Sequence, residues 1–431
     1  QDKRNMFTFS TNCETLDFND LPGIDLVIVQ DRSGSTGMEV TAQDTEGKLI
    51  EVGLSINDIV NHAAKTVASA LRDKDRLSIY AFDDRVECIQ SLQPMNNINK
   101  AAVLGKIEQI KPRGSTNIFG GIKQALDMIE KRQDKTRQTA IIALTDGQPN
   151  ISPARGEIRT LRSLRESTGF STPIYMMGFG YDLKRGLLYE MSKEGNGSTA
   201  HIPDGGMVGT VFSNYLATIL CTSCTNLVLK ISSFDKKYNM NYVKILGDYS
   251  TKVEDNNLYI NLGVLQFKQN RNIIIEGLPN QFDYEYTCNI SGKNYTSNKF
   301  NVDNSDQEIQ VDNTDIDYLY NYTRSNVANT LRTAINYKMS RMSTVELYNN
   351  LVSGIFSLDL ESDDRLKSLL ETLKDQVYLI LGEDNRTSNN YYNKWGEFYL
   401  DQLSNALLKE YTPNFKDQAC KVFGGDLFEK T

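Results

Sequence analysis

The sequence predicts an α/β protein with a doubly wound sheet, followed by an antiparallel β-sandwich and a C-terminal all-α domain. Continuous apolar runs alternate with helical periodicity over 24–222, which indicates a mostly parallel sheet covered on both faces. Short alternating runs separated by Gly, Asn and Asp occupy 223–312, a pattern typical of a small sandwich. From 313 to 431 the apolar residues recur at helical spacing.

The first domain, 24–222, is predicted to be Rossmann-like from the order of its elements. Apolar runs predict buried strands at 23–31, 76–84, 138–147 and 173–180. Helical spacing of apolar residues predicts helices at 56–71, 99–110, 117–132, 158–168, 185–195 and 207–220.

The remaining elements follow two further patterns. Short runs predict sandwich strands at 227–233, 242–248, 257–263, 272–277, 282–290 and 299–302. Periodic segments predict helices at 317–342, 344–356, 363–381 and 391–411, with a polar loop at 382–390. At the N-terminus, 6–18 within the segment 1–23 alternates apolar and polar residues and has no evident place in the first sheet. We expect this strand to pair with the sandwich, so that the α/β domain is inserted into a β domain.

Composition excludes some classes of function. The net charge of −8 and the pI of about 5.1 argue against a nucleic-acid binder, which would normally carry a basic face. No apolar run approaches 18 residues, so no membrane span is expected. Cys221 and Cys224 alone have metal or redox spacing, and a structural zinc would need a second pair. We interpret the cysteines as thiols of a reducing, cytoplasmic compartment; scattered glycosylation sequons leave secretion as the alternative.

Oxygen-bearing side chains follow three predicted elements of the first domain. The first strand leads into Asp31, Ser33 and Ser35; a loop before a helix supplies Thr116; another strand leads into Asp146. Because ligands bind at the carboxyl ends of parallel strands, these side chains are expected to converge. Two carboxylates with hydroxyls suit Mg²⁺ better than a Ca²⁺ cage of many acids, with Mn²⁺ or Ca²⁺ as alternative ions.

This constellation resembles the metal-ion-dependent adhesion site (MIDAS) of von Willebrand factor A (VWA) domains. Asp-x-Ser-x-Ser, then a loop Thr, then Thr-Asp-Gly occur here in that order. The resemblance implies that Asp31, Ser33, Ser35 and Thr116 bind the metal and that Asp146 closes the site mostly through water. It also implies that an acidic side chain of a partner protein completes the metal's coordination.

The resemblance extends beyond the motif. Segments such as GFGYDLKRGLLYEMSKEGNG and the closing YYNKWGEFYLDQLSNALLKEYTPNFKDQACKVFGG are similar to a eukaryotic subgroup in which a VWA domain precedes a vwaint region. Some members carry RING, U-box or Hint modules and act in ubiquitin pathways. The chain contains no Cys/His RING pattern, so ligase activity is not inferred for it.

Alternatives to the metal site remain. The five residues could be a relic in which the serines only cap a helix. The nearby glycines could cradle a phosphate, but no Gly-x-x-x-x-Gly-Lys-Ser/Thr pattern exists. His62 and His201 lie outside the metal loops, and Ser33 has no evident base, which argues against an enzyme.

Two functions therefore remain from the sequence. The first is a non-enzymatic protein–protein interaction module that binds a partner's Asp or Glu through Mg²⁺ within a multiprotein complex. The second is a structural scaffold of a large assembly, linked to ubiquitin pathways or the cytoskeleton, in which the metal only stabilises the fold.

Overall fold

The chain divides into two compact units. The α/β unit comprises Leu16–Asn226 with Asn289–Asn294 and Thr431, and the sandwich–helix unit comprises Gln1–Thr15, Leu227–Cys288 and Tyr295–Lys430. The structure is a computed structural model that describes residues 4–11, 20–43, 49–146, 148–180, 183–202, 208–304, 315–340, 342–358, 363–382, 390–412 and 417–424. The predicted strand residues 12–18 and most of the predicted loop 382–390 lie outside the described residues.

The strands are, in chain order, β1 Arg4–Ser10, β2 Ile24–Asp31, β3 Glu39–Gln43, β4 Leu49–Ser55, β5 Arg76–Phe82, β6 Val86–Pro94, β7 Gln138–Thr145, β8 Ile174–Phe179, β9 Thr199–Ile202, β10 Thr222–Ser233, β11 Lys244–Ile245, β12 Ser250–Glu254, β13 Asn257–Gln266, β14 Asn270–Glu276, β15 Gln281–Ile290, β16 Lys293–Thr296 and β17 Phe300–Asp303.

The α-helices are α1 Ile56–Ala70, α2 Asn97–Glu108, α3 Ile118–Lys131, α4 Glu157–Thr168, α5 Arg185–Glu194, α6 Val208–Leu220, α7 Ile316–Met339, α8 Val345–Phe356, α9 Asp364–Thr372, α10 Tyr378–Leu381, α11 Glu397–Lys409 and α12 Gln418–Lys421. Within the described part of the chain, no helix is both long enough and apolar enough to cross a membrane.

The α/β unit is built on one six-stranded sheet of order β6-β5-β2-β7-β8-β9. The pairs from β5 through β9 are parallel, and β6 runs antiparallel to β5 at the edge. After β2 the chain forms β5 and β6 on one side of that strand, and it later forms β7, β8 and β9 on the other side. The order reverses between β2 and β7, which is where this fold class forms its ligand crevice.

Helices cover both faces of this sheet. Leu26 and Ile28 of β2 belong to a core cluster with residues of α1, α2 and α6. Val27 and Val29 belong to a second cluster with residues of α3, α4 and α5. Because successive strand residues point to opposite faces, a strand between two helical layers needs apolar residues at every position. Each such fully buried side chain contributes roughly 1.5–3 kcal/mol.

Three elements of the α/β unit are additional to the predicted ones. The antiparallel hairpin of β3 and β4 precedes α1, β6 forms the antiparallel edge, and β9 adds a short parallel strand at the opposite edge. These segments are polar or short, so they lack the continuous apolar run by which the central strands were predicted.

The sandwich–helix unit contains two sheets. One has the order β1-β14-β11, and the other has the order β12-β13-β10-β15-β16 with β17 on β15. β1 lies antiparallel to β14, in a register that runs from Arg4 opposite Glu276 to Ser10 opposite Asn270. Arg4 donates to Glu276 at 2.7 Å across this pair. The chain thus contributes β1 to this unit before it forms the α/β unit.

The helical segments differ from the prediction in their continuity. The predicted helix 363–381 is interrupted by a π-helical turn at Leu373–Val377, in which Asp375 has φ −91° and ψ −108°. A second π-helical turn, Tyr392–Gly396, precedes α11. Periodicity alone does not reveal such turns, because the apolar spacing on either side stays helical.

A buried ionic cluster lies within the sandwich–helix unit. Glu410 follows α11 in the left-handed conformation, and its carboxylate lies 3.6 Å from a guanidinium nitrogen of Arg324 and 4.0 Å from one of Arg271. All three side chains are buried. Asn272 of β14 donates to Glu410 from its backbone and from its side chain. This cluster connects residues of the sandwich with residues of the helices within one unit.

Hydrogen bonds complete the cluster. Arg271 donates to the carbonyls of Leu262 and Val264 at 2.6 and 2.8 Å, and Arg324 donates to the carbonyl of Asn272 at 3.2 Å. Thr8 of β1 donates to the Asn272 side chain at 2.7 Å. A buried charge is tolerable only when such bonds replace its lost hydration.

We expect Glu410→Gln to lower the free energy of unfolding by about 3 kcal/mol, because two buried guanidinium groups lose their counter-charge. Urea denaturation followed by the fluorescence of Trp395, the single tryptophan, reports this unit directly. Glu346→Gln, at an exposed position of α8, is the matched control and should change stability by less than about 0.5 kcal/mol. Equal curves for the two variants would contradict a stabilising role for Glu410.

Candidate metal centre

Two aspartates lie at the carboxyl-terminal edge of the α/β sheet, where its parallel strands end. Asp31 is the last residue of β2, and Asp146 directly follows β7. β2 and β7 are parallel neighbours with Gln30 opposite Leu144, so both carboxyl ends finish at the same level. This edge is the point at which the strand order reverses, and the structure therefore places the predicted acidic residues where the fold class binds ligands.

The first loop is organised around the Asp31 carboxylate. One oxygen accepts a hydrogen bond from the backbone N–H of Ser33 at 2.8 Å, and the other accepts from the Thr145 hydroxyl at 2.7 Å. The hydroxyls of Ser33 and Ser35 are 3.0 Å apart. A short 3₁₀ turn, Gly34–Gly37, follows Ser33. This tight turn changes the direction of the chain, and the two serine hydroxyls lie side by side near Asp31.

The second loop brings Thr116 to the same edge. Its backbone N–H donates to the Asn150 side chain at 2.7 Å, and its carbonyl accepts from the backbone of Asn150 and Ile151. Thr116 is therefore held to the loop that follows Asp146. The next residue, Asn117, caps α3 by accepting from the Gly120 N–H at 2.9 Å.

Asp83 joins the first and second loops. One carboxylate oxygen, Oδ2, accepts from Arg32 at 2.8 Å and from Arg113 at 2.7 Å. Two backbone hydrogen bonds join the same loops. The backbone N–H of Arg113 donates to the Arg32 carbonyl at 2.7 Å, and the backbone N–H of Asn117 donates to the Asp83 carbonyl at 3.1 Å. Although burial acts to raise the pKa of Asp83, Arg113 and the other donors lower it overall. Asp83 is thus a buried anion that fixes residues beside the predicted ligands.

Sequence analysis did not identify the Asp83 junction. The only local signal is a pair of acids after the strand β5, in the segment FDD at 82–84.

Close packing supports the same arrangement, since a Cβ on Gly121 of α3 would lie 2.6 Å from Val29 and 2.9 Å from Phe82. Gly121 therefore lets α3 approach β2 and β5 closely, and the loop that carries Thr116 begins this helix.

Burial and mutual repulsion disturb the ionisation of the two aspartates. Burial, followed by the negative charge of Asp146, raises the pKa of Asp31 to about 7 despite hydrogen bonds from Ser33 and Thr145. Burial also raises the pKa of Asp146, and the nearby Ser35 hydroxyl and Gln148 N–H only partly oppose this effect. A positive charge between these groups would favour the ionised form of both.

The Asp146 carboxylate has a further property. Both of its oxygens are buried, and the groups that lower its pKa, the Ser35 hydroxyl and the Gln148 N–H, carry no charge. A buried carboxylate whose charge no cation balances is unfavourable, because the lost hydration is only partly replaced. A hard divalent cation with its waters would satisfy these oxygens, and the donor set of carboxylates and hydroxyls is one that Mg²⁺ accepts. The residues present therefore fit the metal that the sequence predicts.

The five predicted residues are brought together at this edge. Asp31, Ser33 and Ser35 share the first loop, and Ser35, Thr116 and Asp146 line one groove. The described part of the chain contains no cluster of three or more His, Cys, Asp or Glu suited to a metal, as expected where hydroxyls supply most ligands. Metal binding by the five residues stays a prediction.

The histidines lie elsewhere. His62 is exposed on α1. His201 is buried in β9, and its Nε2 lies 2.7 Å from the Gly180 carbonyl. Neither lies in the loops that carry the predicted metal-site residues, and the hydroxyls of Ser33 and Ser35 are 3.0 Å apart.

Family comparisons agree with this architecture. Residues 26–148 match the von Willebrand factor type A domain, and residues 363–431 match the family described as VWA / Hh protein intein-like. The first match contains all five predicted metal-binding residues. The chain therefore contains a VWA domain and a Vwaint region, and the VWA family is known for protein–protein interaction.

Curated relatives match part of the chain. Inter-alpha-trypsin inhibitor heavy chain H1 of Sus scrofa is 28% identical over 143 residues, which cover 32% of this chain and 16% of that protein. The uncharacterized protein sll0103 of Synechocystis is 27% identical over 179 residues, which cover 42% of this chain and 37% of that protein. The chain thus matches well under half the length of either relative.

Solved structures show the same fold over most of the chain. A von Willebrand factor type A protein from Catenulispora acidiphila aligns with a TM-score of 0.65 and 12% identity, over 91% of this chain and 92% of that one. The ArnB paralog VWA2 from Sulfolobus acidocaldarius aligns with a TM-score of 0.52 and 16% identity, over 93% and 99%. The predicted mixed α/β fold class is confirmed.

The raised pKa of Asp31 predicts how the stability of chelator-treated protein depends on pH. The native pKa of about 7 lies above the ordinary value of 3.8, so the native state binds more protons between these values. The stability that this carboxyl contributes is then complete below about pH 4 and is lost as the pH rises through 7. Asp31→Asn does not titrate there, so its stability relative to wild type should increase by at least about 1 kcal/mol from pH 5 to pH 8. Urea denaturation followed by circular dichroism measures this difference, and a difference independent of pH would contradict the burial argument.

Asp83→Asn should weaken Mg²⁺ binding by about tenfold, because loops that hold metal ligands lose their shared anion. Calorimetric titration of Mg²⁺ into chelator-treated protein measures the affinity. Asp73→Asn, an exposed aspartate between α1 and β5, is the matched control and should bind as wild type does. Unchanged affinity in Asp83→Asn, with the fold intact by circular dichroism, would show that the loops hold their positions without it.

Proposed function

We propose that the α/β unit is a non-enzymatic interaction module that binds an acidic side chain of a partner protein at a Mg²⁺-dependent MIDAS. Asp31, Ser33, Ser35 and Thr116 would hold the ion, with Asp146 acting mainly through water. When bound, Mg²⁺ supplies an open, positively charged position that a partner's Asp or Glu can occupy. Mn²⁺ or Ca²⁺ could serve in its place.

The observation that carries this proposal is the state of the two carboxylates. The Asp146 oxygens are buried beside neutral donors, and the pKa of Asp31 is raised to about 7. Among the described residues, the nearby Arg32 and Arg113 pair with Asp83 and not with these two buried acids, so the site is prepared for a cation from solution. The VWA match over the same residues supports the interaction role.

A hydrolytic role is less well supported. Metal-assisted hydrolysis needs a base positioned near the attacking water. His201 is buried against the Gly180 carbonyl, and His62 is exposed on α1. The raised pKa values belong to the proposed metal ligands themselves, which a bound cation would keep ionised.

A scaffold role is the second candidate, and exposed aromatic residues of the sandwich–helix unit favour it. Tyr242 is 76% exposed and Phe234 is 54% exposed. Exposed aromatic side chains are enriched at protein interfaces. In this case partners would bind away from the metal centre, within a larger assembly. The cytoplasmic location stays a prediction of the sequence.

Calorimetric titration of Mg²⁺ into the full chain tests the metal site. We expect saturable one-site binding that is lost in Asp31→Ala and Asp146→Ala, while Asp73→Ala binds normally. The variants should stay folded, since one site at the edge of the sheet contributes little beside the two core clusters. Absence of binding to wild-type protein would refute the metal site.

Chelation separates the two functions. A pull-down of partners with Mg²⁺ or with EDTA should lose the partner on chelation if its carboxylate reaches the metal. The same loss should occur with Asp146→Ala in the presence of Mg²⁺. Partners retained under both conditions would favour the scaffold role.

A further inference from the structure

A groove of about 750 Å³ extends from the candidate metal centre within the α/β unit. Ser35, Thr116 and Asp146 line one part of it, and the remaining wall is largely apolar. A volume of this size accommodates several side chains of a bound segment. The groove therefore provides a surface beside the metal centre. Contacts with this surface can distinguish one partner protein from other proteins that expose a carboxylate.

The apolar wall has a buried floor and an exposed edge. Val40, Ile56 and Phe179 are buried, and the Phe179 ring stacks on Phe212 at 6.5 Å between centroids. Met38 also lines the groove, yet it is 54% exposed. Its backbone is fixed, since its carbonyl accepts from the Ile56 N–H at 3.0 Å. A flexible thioether on a fixed backbone adapts to apolar side chains of different shape.

The rim of the groove is polar. Gln148 and Asn150 are exposed there, and Glu39 and Lys184 add one charge of each sign. The side-chain carbonyl of Asn150 already accepts from the Thr116 N–H, so its amide nitrogen is the group that can donate to a peptide carbonyl. Amide groups along an apolar groove suit an extended backbone.

We infer that this groove binds an extended segment of a partner protein in which a large apolar residue lies two positions from the acidic residue. This inference rests on the proposed function. In an extended chain, residues i and i+2 project to the same side about 6.5–7 Å apart. An acid held at the metal centre would then place the apolar side chain over Met38 and the floor. The acid supplies dependence on the metal, and the apolar residue supplies specificity.

Fluorescein-labelled peptides test this inference with the full chain in excess Mg²⁺. One pair carries Asp with Leu two positions before or after it in a Gly-Ser background. A third peptide, called the Asp-only peptide, has Ser in place of Leu, and a fourth has Asn in place of Asp. Fluorescence polarisation should give about tenfold tighter binding for one of the Asp–Leu peptides than for the Asp-only peptide. All binding should disappear in EDTA and with the Asn peptide.

Matched variants locate the effect. Met38→Ser should remove the advantage of the Asp–Leu peptide and leave binding of the Asp-only peptide unchanged. Ile98→Ser, at a position of α2 that is 80% exposed and outside the groove, should change neither peptide. Both substitutions are at exposed side chains, so folding is preserved, and circular dichroism verifies this.

The outcomes separate the inference from the proposed function. Equal, EDTA-sensitive binding of Asp–Leu and Asp-only peptides would overturn the apolar subsite and leave the acidic ligand in place. Binding of the Asn peptide that persists in EDTA would overturn the metal-dependent function as well. Absence of peptide binding by protein that takes up Mg²⁺ would count against both. Mg²⁺-dependent dimerisation in sedimentation, with Met38→Ser monomeric, would assign the groove to a second copy instead.

Discussion

Adjacent parallel pairing of β2 and β7 places Asp31 and Asp146 at one edge of a sheet that helices cover on both faces. The packing that stabilises the sheet also removes water from the two carboxylates. Their pKa values rise because burial disfavours the charged form, and for Asp31 because Asp146 lies near. The surrounding loops supply hydroxyls and backbone N–H groups, which are neutral donors. A positive charge would balance the two carboxylates, and these neutral donors do not supply one.

The two units balance buried acids in different ways. In the sandwich–helix unit, Glu410 lies close to Arg271 and Arg324, and Arg271 also donates to two backbone carbonyls. In the α/β unit, Asp83 is balanced in the same way by Arg32 and Arg113. The charges of these buried acids are balanced by the protein itself. Such clusters fix the fold, because removal of either partner leaves an uncompensated charge.

Asp31 and Asp146 are not balanced in this way within the described residues. Their neighbours are Ser33, Ser35 and Thr145, whose hydroxyls can hydrogen-bond but carry no charge. The arginine pair on Asp83 lies directly beside this site and orders its loops without entering it. Rigid loops around an uncompensated charge are the arrangement expected of a preorganised ion site. The groove beyond it offers a partner both an anchor and an apolar surface.

Properties that depend on neighbouring residues in the chain could be predicted from the sequence alone. Apolar runs such as Leu26–Val29 define the central strands, and the residues that follow a strand necessarily occupy its carboxyl end. Four of the five candidate ligands end or follow β2 or β7, whereas Thr116 lies in the loop before α3 and is indicated by the resemblance to the MIDAS motif. The alternating pattern near the N-terminus indicated a strand, and the absence of a place for it in the first sheet indicated pairing elsewhere; β1 lies against β14 in the structure.

Properties that depend on contacts between distant segments were decided only by the tertiary structure. Asp83 meets Arg113 across 30 residues, and Glu410 meets Asn272 across 138. Apart from the position of Asp83 directly after β5, no local pattern distinguishes these acids from the many exposed ones, because burial and partners are assigned only when the segments pack. The same holds for the groove, whose wall combines residues near 38, 56, 149 and 179. The sequence by itself determined which oxygens end the strands; the packing decided which of them lack a counter-charge, since that depends on every neighbour at once.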